Sequence, residues 1–290
     1  MPRVSSLLVR LGLWVGGVAL GLLLAWRLTA ELIEPHLLLV FAPRGPVLEA
    51  PSLAGTTLRV YGDTRPHVGK ISGLQKGLVW VRGRRVLVEE GYGFGTPIVE
   101  YEGQTYLARE AEIERTVIPG GVRLVKRFQI DTIDTPIQFL RRKYRPVPSL
   151  GTVTFQYDVW PEGVIDVTVD FRELNVDWTR VYLMNEQGAR RFTRYRDATG
   201  LSLEGEEIGI WESSSEFIGP ACLRAADETL GFCLEPVERG LQTPVEMYYG
   251  RERYKQYNWR GTYQLSWSGV DLALDAPQLT YAYRIRLEVR

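Results

Sequence analysis

The segment from Tyr248 to Trp267 concentrates side chains that can recognise a ligand or a partner protein. It interleaves aromatic rings, whose faces can stack on sugar rings, with cationic side chains, and Tyr, Trp and Arg also dominate protein interfaces. Tyr263 and Trp267 lie at even spacing with Leu265 in a strand-like run, so we expect them in the core. The predicted binding patch consists of Tyr248, Tyr249, Arg251, Arg253, Tyr254, Tyr257 and Trp259.

Carboxyl groups are the next candidates, because glycoside hydrolysis needs two of them facing each other across a sugar. The sequence offers Asp131 with Asp134, and a group at Glu204, Glu206 and Glu207. Exposed carboxylates on β loops usually only solvate the surface. We therefore interpret these side chains as surface groups and assign no catalytic residue.

No histidine or glycine motif in the sequence indicates a nucleophilic or phosphate-binding site. The chain contains only His36 and His67, and no GxSxG elbow accompanies any serine. The run GYGFG at residues 91–95 lacks the strand-to-helix context of a phosphate-binding loop, so we interpret it as a flexible hairpin connection. The sequence predicts no cofactor and no metal site.

Cys222 and Cys233 are the two cysteines of the chain, and they flank a strand, a turn at Asp227-Glu228 and a second strand. Counting back equally from the turn makes them cross-strand neighbours, which is close enough for a disulfide in an oxidising compartment. The sequence leaves open a structural disulfide or two buried thiols.

The charge balance argues against one class of partner. The chain has 35 basic and 35 acidic residues, and therefore no net charge that would attract a polyanion. We exclude nucleic acid as a partner on this ground.

An apolar segment near the N-terminus predicts a membrane anchor. Leu11 to Trp26 contains sixteen uncharged residues, and Leu7 to Leu28 would cross the roughly 30 Å hydrocarbon layer if the flanking arginines extend outward. The small-residue spacing that allows close helix packing occurs in this segment, at Gly12, Gly16, Gly17 and Gly21.

The charges around this segment predict its orientation. Arg3 and Arg10 precede it, whereas Glu31 and Glu34 follow, so the N-terminus is expected in the cytoplasm and the rest outside it. The expected location is the plasma (inner) membrane, with a periplasmic or extracellular main domain. A cleaved signal peptide is the alternative, although Trp26 and Arg27 fit a cleavage site poorly.

The residues after Pro35 follow the two-residue period of β-strands. The clearest case is Leu279 to Val289, where apolar and polar residues alternate; a second is the hairpin of Val153 to Val159 with Ile165 to Phe171. Hairpins are also predicted at residues 78–89 and 98–108, and a short turn of helix at Pro136 to Tyr144.

This pattern predicts a mainly β protein, an antiparallel β-sandwich preceded by one transmembrane helix. We divide the chain into a cytoplasmic tip, membrane helix and juxtamembrane extension at 1–34, a linker at 35–55, a smaller β unit at 56–145 and a β-sandwich domain at 151–290. The division at 145–151 depends on the run RPVPSLG, which could equally be a rigid loop inside one large sandwich.

Residues 134–290 resemble the β-supersandwich domains of the galactose-mutarotase-like group. The resemblance lies in the entry YRPVPSLG, the hairpins VTFQYDVWPEGVIDVTVDF and ACLRAADETLGFCLEP, and the closing strand LTYAYRIRLEV. It implies a supersandwich fold and glycan binding. The catalytic histidines of the mutarotases have no counterpart, because no histidine follows His67.

Two functions follow from these observations. The first is a single-pass membrane protein that acts by binding, as an accessory or structural subunit of a larger membrane assembly on its non-cytoplasmic side, with lipid and other membrane proteins as partners. The alternative is a cell-envelope protein that binds or processes a glycan. The sequence favours a binding protein over an enzyme.

Overall fold

The computed structural model describes most of the chain beyond residue 45. The described residues are 17–18, 20–22, 46–53, 55–62, 76–83, 85–88, 91–134, 144–214, 216–237, 245–258 and 261–290; the backbone alone is described at 109, 134, 144–145, 214, 253–258 and 261–266.

The predicted membrane anchor lies largely outside the described residues. Within it, Gly17, Val18, Leu20, Gly21 and Leu22 are helical and exposed. No helix among the described residues has the length and apolar content needed to cross a membrane. Gly12 and Gly16, two of the four predicted packing glycines, lie outside the described part of the chain, as does the short helix predicted at Pro136 to Tyr144, except for the backbone of its last residue.

The described chain is almost entirely antiparallel β-structure with short connections. Its strands are β1 (Val47–Pro51), β2 (Thr56–Tyr61), β3 (Val79–Arg82), β4 (Arg85–Val86), β5 (Gly93–Tyr101), β6 (Gln104–Ile118), β7 (Gly121–Asp134), β8 (Tyr144–Pro146), β9 (Gly151–Val159), β10 (Val164–Leu174), β11 (Arg180–Gln187), β12 (Phe192–Asp197), β13 (Ser202–Glu204), β14 (Glu212–Ser214), β15 (Ala221–Ala225), β16 (Leu230–Pro236), β17 (Glu246–Asn258), β18 (Gly261–Asp275) and β19 (Thr280–Val289). A 3-10 turn covers Gly205–Ile208.

These strands form two sheets. Strands β1 to β4 make a small meander, and the other fifteen form one large sheet in the order β13-β12-β15-β16-β19-β10-β9-β7-β6-β5-β11-β18-β17-β14, with β8 beside β7. The two ends of the large sheet face each other, because the Tyr195 ring of β12 stacks on the Tyr249 ring of β17 with centroids 4.3 Å apart. The sheet therefore closes into two layers around a common core.

Side-chain alternation explains why these segments are strands. In β9 the buried residues alternate with half-buried ones from Gly151 to Val159, and in β19 Tyr283 and Ile285 are buried while Arg286 is exposed. Apolar faces of this kind are stable only when they pack against another layer. The hairpins predicted at residues 78–89, 98–108 and 153–171 are paired as expected.

The structure differs from the predicted linker and from the predicted domain boundary at residues 145–151. Within the predicted linker 35–55, Val47–Pro51 pairs with β2 and buries Ala50. Strands before and after the division at 145–151 share the large sheet, because β7 pairs with β9 and β5 pairs with β11. The segment thus connects strands of one sheet.

The GYGFG segment is also more regular than the sequence predicts. Gly93 begins β5, and Phe94 is fully buried against Phe232, with ring centroids 5.2 Å apart. The interpretation as a flexible connection is therefore wrong for residues 93–95. Gly95 has φ of 72°, and a Cβ there would lie 2.7 Å from the Phe155 ring, so the core approaches this backbone closely.

Candidate functional site

Three aromatic rings, Tyr182, Trp211 and Tyr248, gather on one face of the large sheet. We call them the Trp211 cluster. The Trp211 and Tyr248 rings stack with centroids 4.3 Å apart and 14° between planes. Tyr182 lies against both, 5.3 Å from Trp211 and 6.3 Å from Tyr248. Trp211 remains 37% exposed, so the cluster presents aromatic surface to the solvent.

The backbone around Trp211 holds this ring in place under strain. Trp211 has φ of 55°, a conformation that bulky residues rarely adopt. It belongs to a strap, residues Gly209 to Ser214, that lies on β17, where Arg251 N donates to Gly209 O and Glu212 pairs with Tyr249. A Cβ on Gly250 would lie 2.4 Å from Trp211 N, so only glycine allows the strap to approach this closely.

Polar groups surround the cluster. Tyr182 Oη donates to Glu100 Oε1 over 3.1 Å, and Arg180 donates to Asp275 Oδ1 over 2.7 Å and to Glu246 Oε2 over 3.1 Å. These groups come from different strands, because Arg180 lies opposite Glu100 of β5 and Asp275 of β18. We call Glu100, Arg180, Glu246 and Asp275 the rim.

The rim changes the acidity of the tyrosines. Burial and then the neighbouring Glu100 carboxylate raise the pKa of Tyr182 to about 12. Burial, followed by the Glu246 carboxylate, raises the pKa of Tyr248. Both phenols are therefore neutral at physiological pH and can act as hydrogen-bond donors.

Two buried carboxyl groups lie on the same side as the cluster. Glu186 of β11 is 4% exposed, and its Oε2 accepts from Tyr92 N over 3.0 Å. Asp271 of β18 is fully buried, and its Oδ1 accepts from Asn185 N over 2.7 Å, whereas Oδ2 makes no hydrogen bond of ordinary geometry.

Burial makes both carboxyl groups weak acids. It raises the pKa of Asp271 to about 7, although hydrogen bonds from Asn185 N and from the Trp211 side chain oppose the change. Burial and the nearby Asp271 charge raise the pKa of Glu186 well above its ordinary value, and Lys76 partly offsets this. The pair can hold a proton at neutral pH.

The predicted binding patch is split between the two faces of β17. Tyr248 belongs to the Trp211 cluster, whereas Tyr249 stacks on buried Tyr195. Arg251 is also buried; it donates to Ala189 O over 3.1 Å and to Glu206 Oε1 over 2.9 Å. Tyr249 and Arg251 therefore do not share the exposed surface of Tyr248, because successive strand residues point to opposite faces.

The side chains of most remaining patch residues lie outside the described residues. The side chains of Arg253, Tyr254, Tyr257 and Tyr263 lie outside the described set, and so does Trp259 as a whole. Trp267, expected in the core, is half-buried and donates its indole N–H to Glu252 Oε2 over 2.8 Å. It packs beside Gly250, under the Trp211 strap.

The cysteines and the loop carboxylates contribute nothing to this site. Cys222 and Cys233 face each other across β15 and β16 and form a disulfide with Cα atoms 4.0 Å apart. Glu204, Glu206 and Glu207 are exposed at the 3-10 turn. Asp131 is buried in β7, so its interpretation as a surface group is wrong. Within the described part of the chain, no three His, Cys, Asp or Glu side chains are arranged to hold a metal ion.

No protein-family profile and no curated protein sequence matches the chain. Among solved structures, it is similar to the alpha-N-acetylgalactosaminidase of Bifidobacterium bifidum in its GalNAc complex, with a TM-score of 0.49 and 10% identity over 83% of this chain. The alignment covers 36% of that enzyme, so this chain spans about a third of its length.

Two smaller proteins match over their whole length. A protein of Escherichia coli K12 assigned as an aldose 1-epimerase gives a TM-score of 0.45 with 8% identity, covering 84% of this chain and 99% of that one. An aldose epimerase homologue from C. elegans gives 0.38 with 9% identity, covering 84% and 99%. Both proteins are described as an aldose epimerase or as a homologue of one.

Proposed function

We propose that the protein binds carbohydrate, and that the sugar packs against the Trp211 cluster. The observation that carries the proposal is the exposed, strained Trp211 ring stacked on Tyr248. A bulky residue at positive φ is strained, and it keeps this conformation only when surrounding contacts hold it there. Strained residues of this kind are concentrated at functional sites.

The surrounding chemistry fits a sugar. The C–H face of a pyranose ring can cover an aromatic ring, while its hydroxyl groups need acceptors and donors at the edge. Glu100, Glu246 and Asp275 supply acceptors, as does Tyr182 Oη, whose proton is donated to Glu100. Arg180 supplies the donors through the N–H groups that do not bond to Glu246 and Asp275. The rim residues are already hydrogen-bonded to one another, which fixes their positions before a ligand arrives.

Titration of the full-length chain with neutral oligosaccharides tests this proposal. Trp211→Ala should weaken binding of any recognised sugar by roughly tenfold or more, which corresponds to losing about 1.5 to 3 kcal/mol of stacking. Trp160→Ala is the control, because Trp160 is a half-buried tryptophan away from the cluster, hydrogen-bonded to Asp166 at the β9–β10 turn. Equal binding by both variants, or no binding by the unaltered chain, would contradict the proposal.

A second function, the accessory subunit of a membrane assembly, is favoured by exposed apolar residues near the strap. Ile210 is 63% exposed and Ile218 is 68% exposed, and side chains of this kind are typical of protein contacts. The Cys222–Cys233 disulfide supports the proposed non-cytoplasmic location, because such bonds persist in oxidising compartments. Native gels of gentle detergent extracts test this function, and migration as a lone 33 kDa species would contradict it.

A further inference from the structure

Carboxyl groups outnumber cations around the Trp211 cluster. On the rim, Glu100, Glu246 and Asp275 are matched by the single guanidinium of Arg180 among the residues that the structure describes. Arg180 bridges Glu246 and Asp275, so its charge is already compensated. The rim therefore carries an excess of negative charge.

The buried layer below the rim contains two further carboxyl groups, those of Asp271 and Glu186. Glu186 interacts electrostatically with Asp271 and with half-buried Glu252, and the described cation that opposes these two effects is Lys76. Lys76 Nζ donates to Gly91 O over 2.6 Å. Asp271 Oδ2 is fully buried and makes no ordinary hydrogen bond, although it belongs to a carboxyl group that interacts with the Trp211 side chain. Burial raises the pKa of both Asp271 and Glu186, so the negative charge that faces a ligand comes from the rim carboxylates.

We infer that the site selects glycans carrying a free amino group over neutral glycans, and excludes glycans carrying uronic acids. The inference rests on the proposed sugar-binding function and names the class of sugar. An ammonium group placed at the Trp211 face interacts with the ring quadrupole and with the rim carboxylates. A uronate in the same place is repelled by the rim carboxylates, and Arg180 is already paired with Glu246 and Asp275.

The specificity-determining residue is Glu246. Its side chain is about one-third exposed; Oε2 accepts from Arg180, and Oε1 accepts from Ser213 Oγ over 3.0 Å. It also acts on the phenol of Tyr248, so its charge lies directly beside the stacked rings. Glutamine at this position keeps an acceptor but removes the charge.

Matched oligomers test the inference without changing the sugar backbone. Full-length protein is titrated at mildly acidic pH with oligomers of glucosamine, of N-acetylglucosamine and of galacturonate. The glucosamine oligomer should bind roughly threefold to tenfold more tightly than the N-acetylated one, and the uronate more weakly than both. The preference should shrink when the salt concentration rises, because exposed charges are screened.

Two variants assign the preference to the site. Glu246→Gln should lower the ratio of glucosamine to N-acetylglucosamine affinity toward one. Glu235→Gln is the control, because Glu235 is also a strand carboxylate bonded to an arginine, Arg286, and its loss should leave the ratio unchanged. Equal affinities for the two oligomers in the unaltered chain would overturn the inference while leaving sugar binding intact. Binding of none of the three would count against the proposed function itself.

Discussion

Tyr248 and Tyr249 are consecutive residues of β17, and each stacks on an aromatic ring at 4.3 Å, yet their surroundings differ completely. Tyr249 meets Tyr195, which is 1% exposed and packed in the core. Tyr248 meets Trp211, which is strained and partly exposed. The same stacking geometry therefore stabilises the fold on one face of the strand and presents a surface on the other.

The carboxyl groups beside the two stacks show the same contrast. Asp197, beside Tyr195, accepts hydrogen bonds from Tyr195 Oη, from Leu201 N and from both N and Oγ1 of Thr199. Asp271, beside Trp211, accepts a hydrogen bond from Asn185 N and interacts with the partly exposed Trp211 side chain. The Asp197 carboxylate is thus bonded only to structural neighbours, whereas the Asp271 carboxyl group links the core to the exposed aromatic cluster.

The largest expected difference between the stacks is in stability. Tyr195→Ala should lower the free energy of unfolding by about 3 to 5 kcal/mol, because it removes a fully buried ring. Tyr248→Ala should cost about 1 to 2 kcal/mol, since the site is half-buried and its stacking partner remains solvated. Urea unfolding of both variants measures this, and equal losses would mean that both faces are core.

The pH dependence of the free energy of unfolding should come from the buried carboxyl groups beside Trp211. The folded-state pKa of Asp271 is about 7, above its ordinary value of 3.8, so the native state binds a proton more tightly than the unfolded chain. The resulting stabilisation of the native state is complete below about pH 4 and is lost as the pH rises toward 7. The loss amounts to at most about 4 kcal/mol.

Glu186, whose pKa is also raised, acts in the same direction. Asp271→Asn should flatten the decline between pH 4 and pH 7 in unfolding titrations. Asp197→Asn, on the other face, should leave that decline in place even though it destabilises the protein. If Asp271→Asn and Asp197→Asn show the same dependence of stability on pH, Asp271 does not titrate as described.

Gly250→Ala should separate the strap from the sheet. The new Cβ would collide with Trp211 N, and relieving an overpacked contact usually costs about 1 to 3 kcal/mol. We expect weakened sugar binding as well, because Trp211 moves away from Tyr248. Gly200→Ala is the comparison for stability, since a Cβ at Gly200 meets no neighbour within 4 Å and only its φ of 91° opposes the change. Unimpaired sugar binding by Gly250→Ala would contradict the role given to the strap.

The smallest expected effect concerns the strained backbone itself. Trp211→Gly should be more stable than Trp211→Ala by about 1 kcal/mol, because glycine adopts positive φ without cost. Thermal unfolding of the two variants checks this. A more stable alanine variant would indicate that residue 211 relaxes to negative φ.

The sequence predicts strands far better than it predicts the site. Regular alternation identifies β9, β10 and β19, and the turn at Asp227-Glu228 identifies the facing cysteines. The same alternation, applied to Tyr248, Tyr249 and Arg251, would have placed Tyr249 and Arg251 opposite Tyr248, where burial then makes them structural. The predicted patch treated all three as one surface.

The missed residues carry weaker signals. In the sequence, Glu186 and Asp271 look like solvent-facing strand carboxylates. In the structure both are buried, because Tyr92 contacts Glu186 and Trp211 contacts Asp271. Trp211 belongs to no periodic pattern, and its contact with Tyr248 joins residues that are far apart in the chain. Local sequence cannot show such a contact, because it depends on how the strands are ordered in the sheet.

Carbohydrate binding at the Trp211 cluster requires that the Trp211 ring touch the ligand. Fluorine NMR of full-length protein labelled with 5-fluorotryptophan reports each of the eight tryptophans separately, and the Trp211→Phe variant assigns its resonance. Addition of a bound oligosaccharide should shift the Trp211 resonance and leave that of fully buried Trp80 in place. A bound sugar that leaves the Trp211 resonance unchanged would contradict the account.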